Sequence, residues 1–269
     1  MAIYDIRPVR ALTAALALVL CAGSLEAIDA DLLRELERLH EGDGHEEILE
    51  RIDSELERVT DATETAELLW RRTRAELTLA DFGLWRGELS DREAIAMLEG
   101  AASHADRATS LAPDLADPYF WKGATVGLRG QIRGILNSLF MASDVRDYAE
   151  QTLERDPDHA EAHYMLGQLY RELPRWPLSF GDRERAVDYG RRAIALHEDD
   201  YAEGRVNVPY YDFYTQLAAS LWRRNAGGDR DEALSLLRST IADLEALSEP
   251  TTRQRMELET AREFLADWT

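Results

Sequence analysis

Three stretches of the chain can be superimposed on one another, and this repetition constrains the fold more than any single motif. The stretches are Ala101–Pro113, Val145–Pro157 and Ala186–Glu198. In each of them small or apolar residues recur on one helical face, and a proline ends the first two. Behind these two, a new helix opens with Gly123 and Gly167 at the same offset. Units that cannot bury their apolar faces alone must stack, so the pattern predicts packed antiparallel helix pairs.

The best-preserved unit, Ala160–Ala193, resembles a tetratricopeptide repeat, which is a pair of antiparallel helices of about 34 residues. Its signature residues are Leu166, Gly167 and Tyr170 on the first helix, and Ala186 and Ala193 on the second. The small residues allow the paired helices to approach closely. We therefore predict an all-α, tetratricopeptide-like helical-hairpin solenoid, an α-α superhelix.

The spacing inside the repeats is longer than a regular repeat needs. Gly167 and Ala186 lie nineteen residues apart, and Gly123 and Val145 lie twenty-two apart. The spacing predicts two insertions, LPRWPLSFG and roughly LRGQIRGILNSLFMA. Insertions on one face of a solenoid often carry specificity.

The remaining chain predicts further helices with one C-terminal cap, all within a single domain at 28–269. Predicted helices are Ile28–Glu41, His45–Val59, Thr63–Asp81, a helix capped by Asp91 and ending near Leu111, Tyr210–Asn225, Asp229–Leu247 and the capping helix Thr251–Trp268. Predicted loops are Phe82–Leu89, which holds Trp85, and Tyr201–Pro209. Together with the central repeats this makes about five helix pairs plus the cap.

The N-terminal 24 residues have the layout of a secretory signal peptide. Arg7 and Arg10 precede the uncharged run Ala11–Leu20, and small residues follow at 22–24. We expect an exported, periplasmic protein, with an uncleaved N-terminal anchor as the alternative. Cys21 is the sole cysteine, which excludes an intramolecular disulfide. A lipid anchor on Cys21 stays open, although the leucine before it is larger than a lipobox prefers.

The chain has a net charge of −21, and its sequence contains no basic patch of the kind that binds nucleic acid. We therefore expect no nucleic-acid partner. The sequence also has no nucleophile elbow, phosphate-binding loop, dinucleotide fingerprint or HExxH motif. We therefore expect no enzyme, no catalytic residue, no cofactor and no metal. His159 and His163 have the i,i+4 spacing of metal ligands, but a structural role is the better expectation.

The order of the motifs resembles two families. An aromatic helix opening with YFWKGATVGLRGQIRG precedes LERDPDHAEAHYMLGQLYRELP, a Trp/Pro-rich loop and a final repeat. This order, from about Ala101 to Asp199, is similar to the T-component family of TRAP-transporter-associated exported proteins. It is also similar to the repeat domain of regulators of microtubule dynamics. The first resemblance implies a periplasmic protein, often lipid-anchored, that associates with a solute-binding protein and sometimes forms homo-oligomers.

First helices of successive repeats line the concave face of such a solenoid, which predicts a groove for a partner protein. The predicted groove residues are Asp117, Phe120, Glu161, Tyr164, Gln168 and Arg171, and the predicted inserted-loop contacts are Arg129, Arg133, Arg175 and Trp176. The alternatives are that Phe120 and Tyr164 pack against neighbouring helices, that Arg129 and Arg133 are structural or solvated, and that Trp176 is a lid on the core. The predicted function is thus a non-catalytic adaptor that binds another protein. Another aromatic group, Tyr210, Tyr211 and Tyr214, is expected to lie mostly in the core.

The alternative function is an accessory protein that binds a small apolar ligand. In that case the insertions would enclose a cavity lined by residues such as Phe120, Trp121, Leu136, Phe140 and Trp176.

Overall fold

A computed structural model describes residues 28–269, apart from the side chains of 135–138. This part of the chain forms eleven helices and no strand. They are α1 Ala30–Glu41, α2 His45–Leu56, α3 Ala62–Trp85, α4 Asp91–Leu111, α5 Asp117–Ile132, α6 Ile135–Arg155, α7 Ala160–Glu172, α8 Arg183–Ala202, α9 Asp212–Arg224, α10 Asp229–Glu245 and α11 Thr252–Trp268.

Helices that follow one another in the chain pack against one another. α1 to α10 form five antiparallel hairpins, and α11 packs on α9 and α10. The predicted all-α solenoid of helical hairpins, with its C-terminal capping helix, is therefore confirmed.

Helix starts follow local capping chemistry. The carboxylate of Asp61 accepts hydrogen bonds from the backbone N–H groups of the first turn of α3. Ser90 and Glu93 form a reciprocal capping box at the start of α4, and Thr251 and Gln254 form another at α11. The prediction that Asp91 caps α4 was wrong by one residue, because the hydroxyl of Ser90 accepts the bond and Asp91 is already helical.

Several helices are longer than predicted. α3 continues to Trp85, so the predicted loop from Phe82 begins four residues later. The predicted insertion after Gly123 is no loop either, since its residues extend α5 and α6. Only a tight turn separates those two helices, and Gly134 occupies it with a φ of 90°.

Small side chains set the distance between paired helices. Ala80 on α3 packs against Ala94 and Leu98 on α4, and all three are completely buried. On α7, a Cβ atom placed on Gly167 would lie 3.3 Å from the backbone oxygen of Ala186. The repeat signature thus has the physical role that the sequence predicted.

The solenoid closes on itself, which the sequence did not predict. Each odd-numbered helix from α3 to α11 contacts the next, and α11 then contacts α3 again. At this closure the backbone N–H of Thr252 donates to Asp43 Oδ2 at 2.6 Å, and its hydroxyl accepts from Arg86 at 2.6 Å. The indole of Trp85 donates to Glu259 at 2.8 Å. The helices that line the concave face therefore form a closed ring.

None of the helices between residues 28 and 269 is long and apolar enough to cross a membrane. The predicted signal peptide and Cys21 lie outside the described residues. Export and lipid anchoring stay predictions.

Replacing Gly167 with valine is expected to lower the free energy of unfolding by about 1–3 kcal/mol, because its side chain has no room against α8. The measurement is urea unfolding followed by tryptophan fluorescence. The matched control is Gly100→Val on α4, where an added Cβ meets no atom within 4 Å. We expect the control to change stability by less than about 0.5 kcal/mol. Equal losses in both variants would contradict close packing at Gly167.

Candidate functional site

The predicted groove residues lie on the enclosed inner face and contact one another. Phe120 is buried, with its ring centroid 4.9 Å from that of Trp121 and 5.0 Å from that of His159. Phe120 therefore packs between neighbouring helices and does not face an open groove.

His159 lies between the two groove carboxylates, Asp117 and Glu161. Its Nε2 lies 3.8 Å from Asp117, and its Nδ1 lies 3.2 Å from Glu161. Burial would lower the pKa of His159, but the two carboxylates raise it to about 10. Burial likewise opposes ionisation of Glu161, but His159 lowers the pKa of that carboxyl to about 2. The Ala162 N–H also points at Nδ1, at 3.3 Å. A protonated Nδ1 cannot accept that bond, and the shorter contact with Glu161 favours the imidazolium.

Tyr164 and Gln168 belong to a second bonded group. Tyr164 donates its hydroxyl proton to Asp212, and the amide of Gln168 donates to the Tyr164 hydroxyl at 2.7 Å. Arg171 is buried and donates to the backbone oxygen of Gln216 at 3.0 Å. These contacts join α7 to α9. These predicted groove residues are thus engaged in contacts within the molecule, and the binding of a protein there stays a prediction.

The inner face also holds an ionisable cluster that sequence reasoning missed. We call it the inner cluster. It consists of Glu37, His40, His45, Arg74, Asp81, Asp212, Arg253 and Glu257, contributed by α1, α2, α3, α9 and α11.

On the α1–α3 side the inner cluster pairs Arg74 with Glu37 at 2.7 Å, while Arg71 binds the other oxygen of Glu37 at 2.9 Å. Burial would raise the pKa of Glu37, but the two guanidinium groups lower it. His40 and His45 lie edge to face with ring centroids 5.2 Å apart. Burial and the positive charge of nearby arginines lower the pKa of both histidines. Both rings are therefore neutral near pH 7.

On the α11 side Glu257 is buried and accepts the Asp212 N–H at 3.4 Å. Its Oε2 has no hydrogen-bond partner. Burial raises the pKa of Glu257 to about 8; Arg253 opposes this shift and the charge of Asp212 adds to it. Burial also raises the pKa of Asp81. Glu257 is therefore protonated near neutral pH.

The predicted inserted-loop residues have different fates. Trp176 is 86 % exposed, and Arg175 beside it is also exposed. Arg133 pairs with Glu99 at 3.0 Å, and Arg129 is half-buried at the end of α5. Of the four predicted inserted-loop residues, Arg175 and Trp176 therefore face solvent.

The apolar cavity of the alternative function is not formed by the residues predicted for it. Phe120 is buried in the inner face, whereas Phe140 is 81 % exposed and Trp176 is 86 % exposed. Leu136 belongs to the residues whose side chains are not described. Side chains that face solvent and side chains inside the solenoid cannot line one enclosed space.

The two histidines with i,i+4 spacing do not converge. His159 binds carboxylates, and His163 Nε2 lies 2.9 Å from the carbonyl oxygen of Pro157. In residues 28–269 no group of three or more His, Cys, Asp or Glu side chains could hold a metal ion.

Comparison with known families finds a match. The family described as regulator of microtubule dynamics protein 1-3 matches residues 32–177, which is more than half of the chain. The chain belongs to this family. The match covers α1 to α7 and ends within the loop after α7. No curated protein sequence matches the chain.

This match corrects the resemblances drawn from the sequence. The resemblance to the TRAP-transporter T-component family was wrong. The partner that it implied, a periplasmic solute-binding protein, loses its support. The resemblance to regulators of microtubule dynamics is confirmed, and the tetratricopeptide likeness holds for the architecture alone.

The free energy of unfolding of the wild type is expected to decrease as the pH rises, and Glu257→Gln is expected to make this decrease smaller. The folded pKa of about 8 lies above the ordinary value of 4.5. Glu257 therefore costs no stability below pH 4.5, and its cost grows until the pH passes about 8. The variant keeps the shape without this cost, so it should exceed the wild type in stability at pH 9 more than at pH 5. His159, with a pKa of about 10, accounts for the decline that remains above pH 6.5.

The measurement is urea unfolding at a series of pH values. Glu263→Gln, on the exposed side of the same helix, is the matched control and should leave the pH profile unchanged. Identical profiles for the wild type and Glu257→Gln would show that Glu257 is ionised in the folded protein.

Proposed function

We propose that this protein is a non-catalytic helical-repeat adaptor that binds a second protein through an exposed apolar edge. The apolar edge consists of Leu139, Phe140, Trp176 and Leu178. The observation that carries the proposal is the exposure of Trp176 and Leu178, 86 % and 83 %, on a loop whose base is fixed. Tryptophan is enriched among the residues that dominate protein interfaces.

The loop between α7 and α8 is tied at its base. The Gly181 N–H donates to the carbonyl oxygen of Pro174 at 2.9 Å, and the Asp182 N–H donates to that of Tyr170 at 3.0 Å. Leu173 is buried beneath these bonds. Because the base is ordered before binding, a partner that contacts the tip has less conformational entropy to remove.

The loop lies beside the middle of α6. The guanidinium of Arg146 on α6 lies 4.4 Å from the ring centroid of Phe180 in the loop. Phe140 is six residues nearer the start of α6, about 9 Å along the helix axis. We include Leu139 and Phe140 in the apolar edge on this proximity, because exposed apolar groups that form one patch mark interaction sites, whereas single ones need no explanation.

The charge around the apolar edge favours an acidic partner segment. Residues 118–143 contain three basic residues and no Asp or Glu, in a chain whose net charge is −21. Two of the three already pair with carboxylates of α4, Lys122 with Asp106 and Arg133 with Glu99, so Arg129 and the loop arginine carry most of this argument. The segment 173–181 adds Arg175 and also lacks acidic residues. A partner with apolar anchors flanked by carboxylates would complement this edge, and the acidic remainder of the surface would repel it elsewhere.

The family agrees with a role in protein binding. Its description names the regulation of microtubule dynamics, and the matched residues include Trp176. We propose a protein partner on the physical features of the edge, and the family match is a secondary support.

We expect wild-type protein to retain a protein partner from cell extract in a fixed ratio. The double variant Trp176→Ser/Leu178→Ser is expected to lose this partner. Truncation of interface anchors of this size costs about 2 kcal/mol or more each, which is a loss of affinity of thirtyfold or above. The measurement is quantitative co-purification, followed by titration of the identified partner. Arg107→Ser is the control, because Arg107 is an exposed residue of α4 that belongs neither to this edge nor to a pocket lining.

Three outcomes would overturn the proposal. The first is that both variants retain the same proteins as the wild type. The second is that the wild type, but not the double variant, sediments with anionic phospholipid vesicles while no protein co-purifies. The edge would then be a membrane contact. The third is that light scattering shows the purified protein to be a dimer that the double variant no longer forms. A second copy of the chain would then occupy the edge, in place of an acidic partner of different sequence.

A further inference from the structure

A concave pocket lies between the end of α8, the start of α9 and the middle of α10, away from the apolar edge. Its volume is about 340 Å³, within the range of small-ligand sites. It is lined by His197, Glu198, Tyr201, Pro209, Tyr211, Tyr214, Leu236, Ser239, Thr240 and Asp243.

Three tyrosines give this pocket an aromatic lining. Tyr201 is 49 % exposed, while Tyr211 and Tyr214 are half-buried. The expectation that Tyr211 and Tyr214 lie in the core is therefore only partly met, because both also line the pocket. The faces of aromatic rings carry partial negative charge and attract cations.

Two carboxylates make the pocket negative. Glu198 accepts the hydroxyl proton of Tyr214 at 3.0 Å, and Asp243 faces the same tyrosine from α10. Burial, then the charges of Glu198 and Asp243, raise the pKa of Tyr214, which keeps its phenol neutral.

No lining side chain carries a positive charge. His197 is the one lining residue that protonation could make positive, and its Nε2 accepts the Tyr210 N–H at 3.0 Å. Burial lowers the pKa of His197, so the ring is neutral near pH 7. The pocket therefore has a net negative charge and disfavours phosphate or carboxylate ligands.

We infer that this pocket binds an organic cation of the quaternary ammonium class, with its methyl groups against the tyrosine rings and its charge opposite Asp243. A trimethylammonium group has no N–H to donate, so it is suited to a lining of ring faces, Leu236 and Pro209. A metal ion is a poorer fit, because one of the two carboxylates is already bonded to Tyr214 and no third ligand joins them.

The test uses full-length purified protein and choline as the probe, in titration calorimetry with saturation-transfer NMR. The control ligand is 3,3-dimethylbutan-1-ol, which has the shape of choline without the charge. We expect the neutral molecule to bind about tenfold more weakly. Equal affinity for both molecules, or no binding of choline at millimolar concentration, would overturn the inference.

Asp243→Asn is expected to weaken choline binding about fivefold, because it removes one charge with little change of shape. Asp231→Asn, twelve residues earlier on α10 and outside this pocket, is the matched control and should bind as the wild type does. Tyr211→Leu serves as a second variant and should weaken choline more than the neutral alcohol. Affinities unchanged in both pocket variants would place choline elsewhere and contradict the assignment.

A trimethyllysine peptide distinguishes the two sources of this chemistry. Tighter binding of the peptide than of choline indicates a modified protein as the natural ligand, and the reverse order indicates a small molecule. Either order supports the ammonium site, provided that Asp243→Asn weakens it.

Discussion

The return of α11 onto α3 is the interaction on which the rest of the structure depends. In an open solenoid each repeat contacts only its neighbours, and the inner faces of the first helices stay available to a ligand. Here the hydrogen bonds of Thr252 to Asp43 and Arg86 join residues that are more than 160 positions apart. The last helix thereby becomes a neighbour of α3 and of the turn between α1 and α2. Side chains on the inner face come close together, and many of them pair with one another.

This enclosure determines the protonation of the inner face. A buried charge without a partner is costly, so such groups are either paired or neutral. Glu37 is paired with two arginines, and its pKa is lowered accordingly. Glu257 has an unpartnered oxygen, and its pKa is raised to about 8. The same residue types therefore have opposite charge states a short distance apart, and the difference arises from their hydrogen-bond partners.

The sequence predicted the local part of this fold and missed the part that depends on distant contacts. Helical periodicity, Gly167 opposite Ala186, and proline-terminated repeats are features of adjacent segments, and they identified the hairpins correctly. The spacing between Gly123 and Val145 is compatible with an inserted loop and with longer helices, so the sequence could not distinguish the two. The contact between Asp43 and Thr252 leaves no periodic signal at all.

The accessibility of the predicted groove depends on the same distant contacts. Tyr164 and Arg171 lie on the inner face, as a repeat register predicts, but how far a ligand can reach them depends on whether the solenoid stays open. For Trp176 the sequence left two alternatives, a lid packed on the core and an exposed anchor. The structure exposes it, because the prolines and the loop around it bring no neighbouring element over the indole.

Because the inner helices close into a ring, the outer surface and the loops between helices carry the groups that a partner or ligand reaches most easily. The family match ends at residue 177 and so includes Trp176, whereas α8 to α10 lie beyond it. The tyrosine-lined pocket is built entirely from this later part. Its chemistry therefore cannot be deduced from the family and depends on this chain's own residues. Most of the apolar edge lies inside the matched region, and the pocket lies outside it. This arrangement would allow the protein to make a contact common to its family and also to bind a ligand that its own residues select.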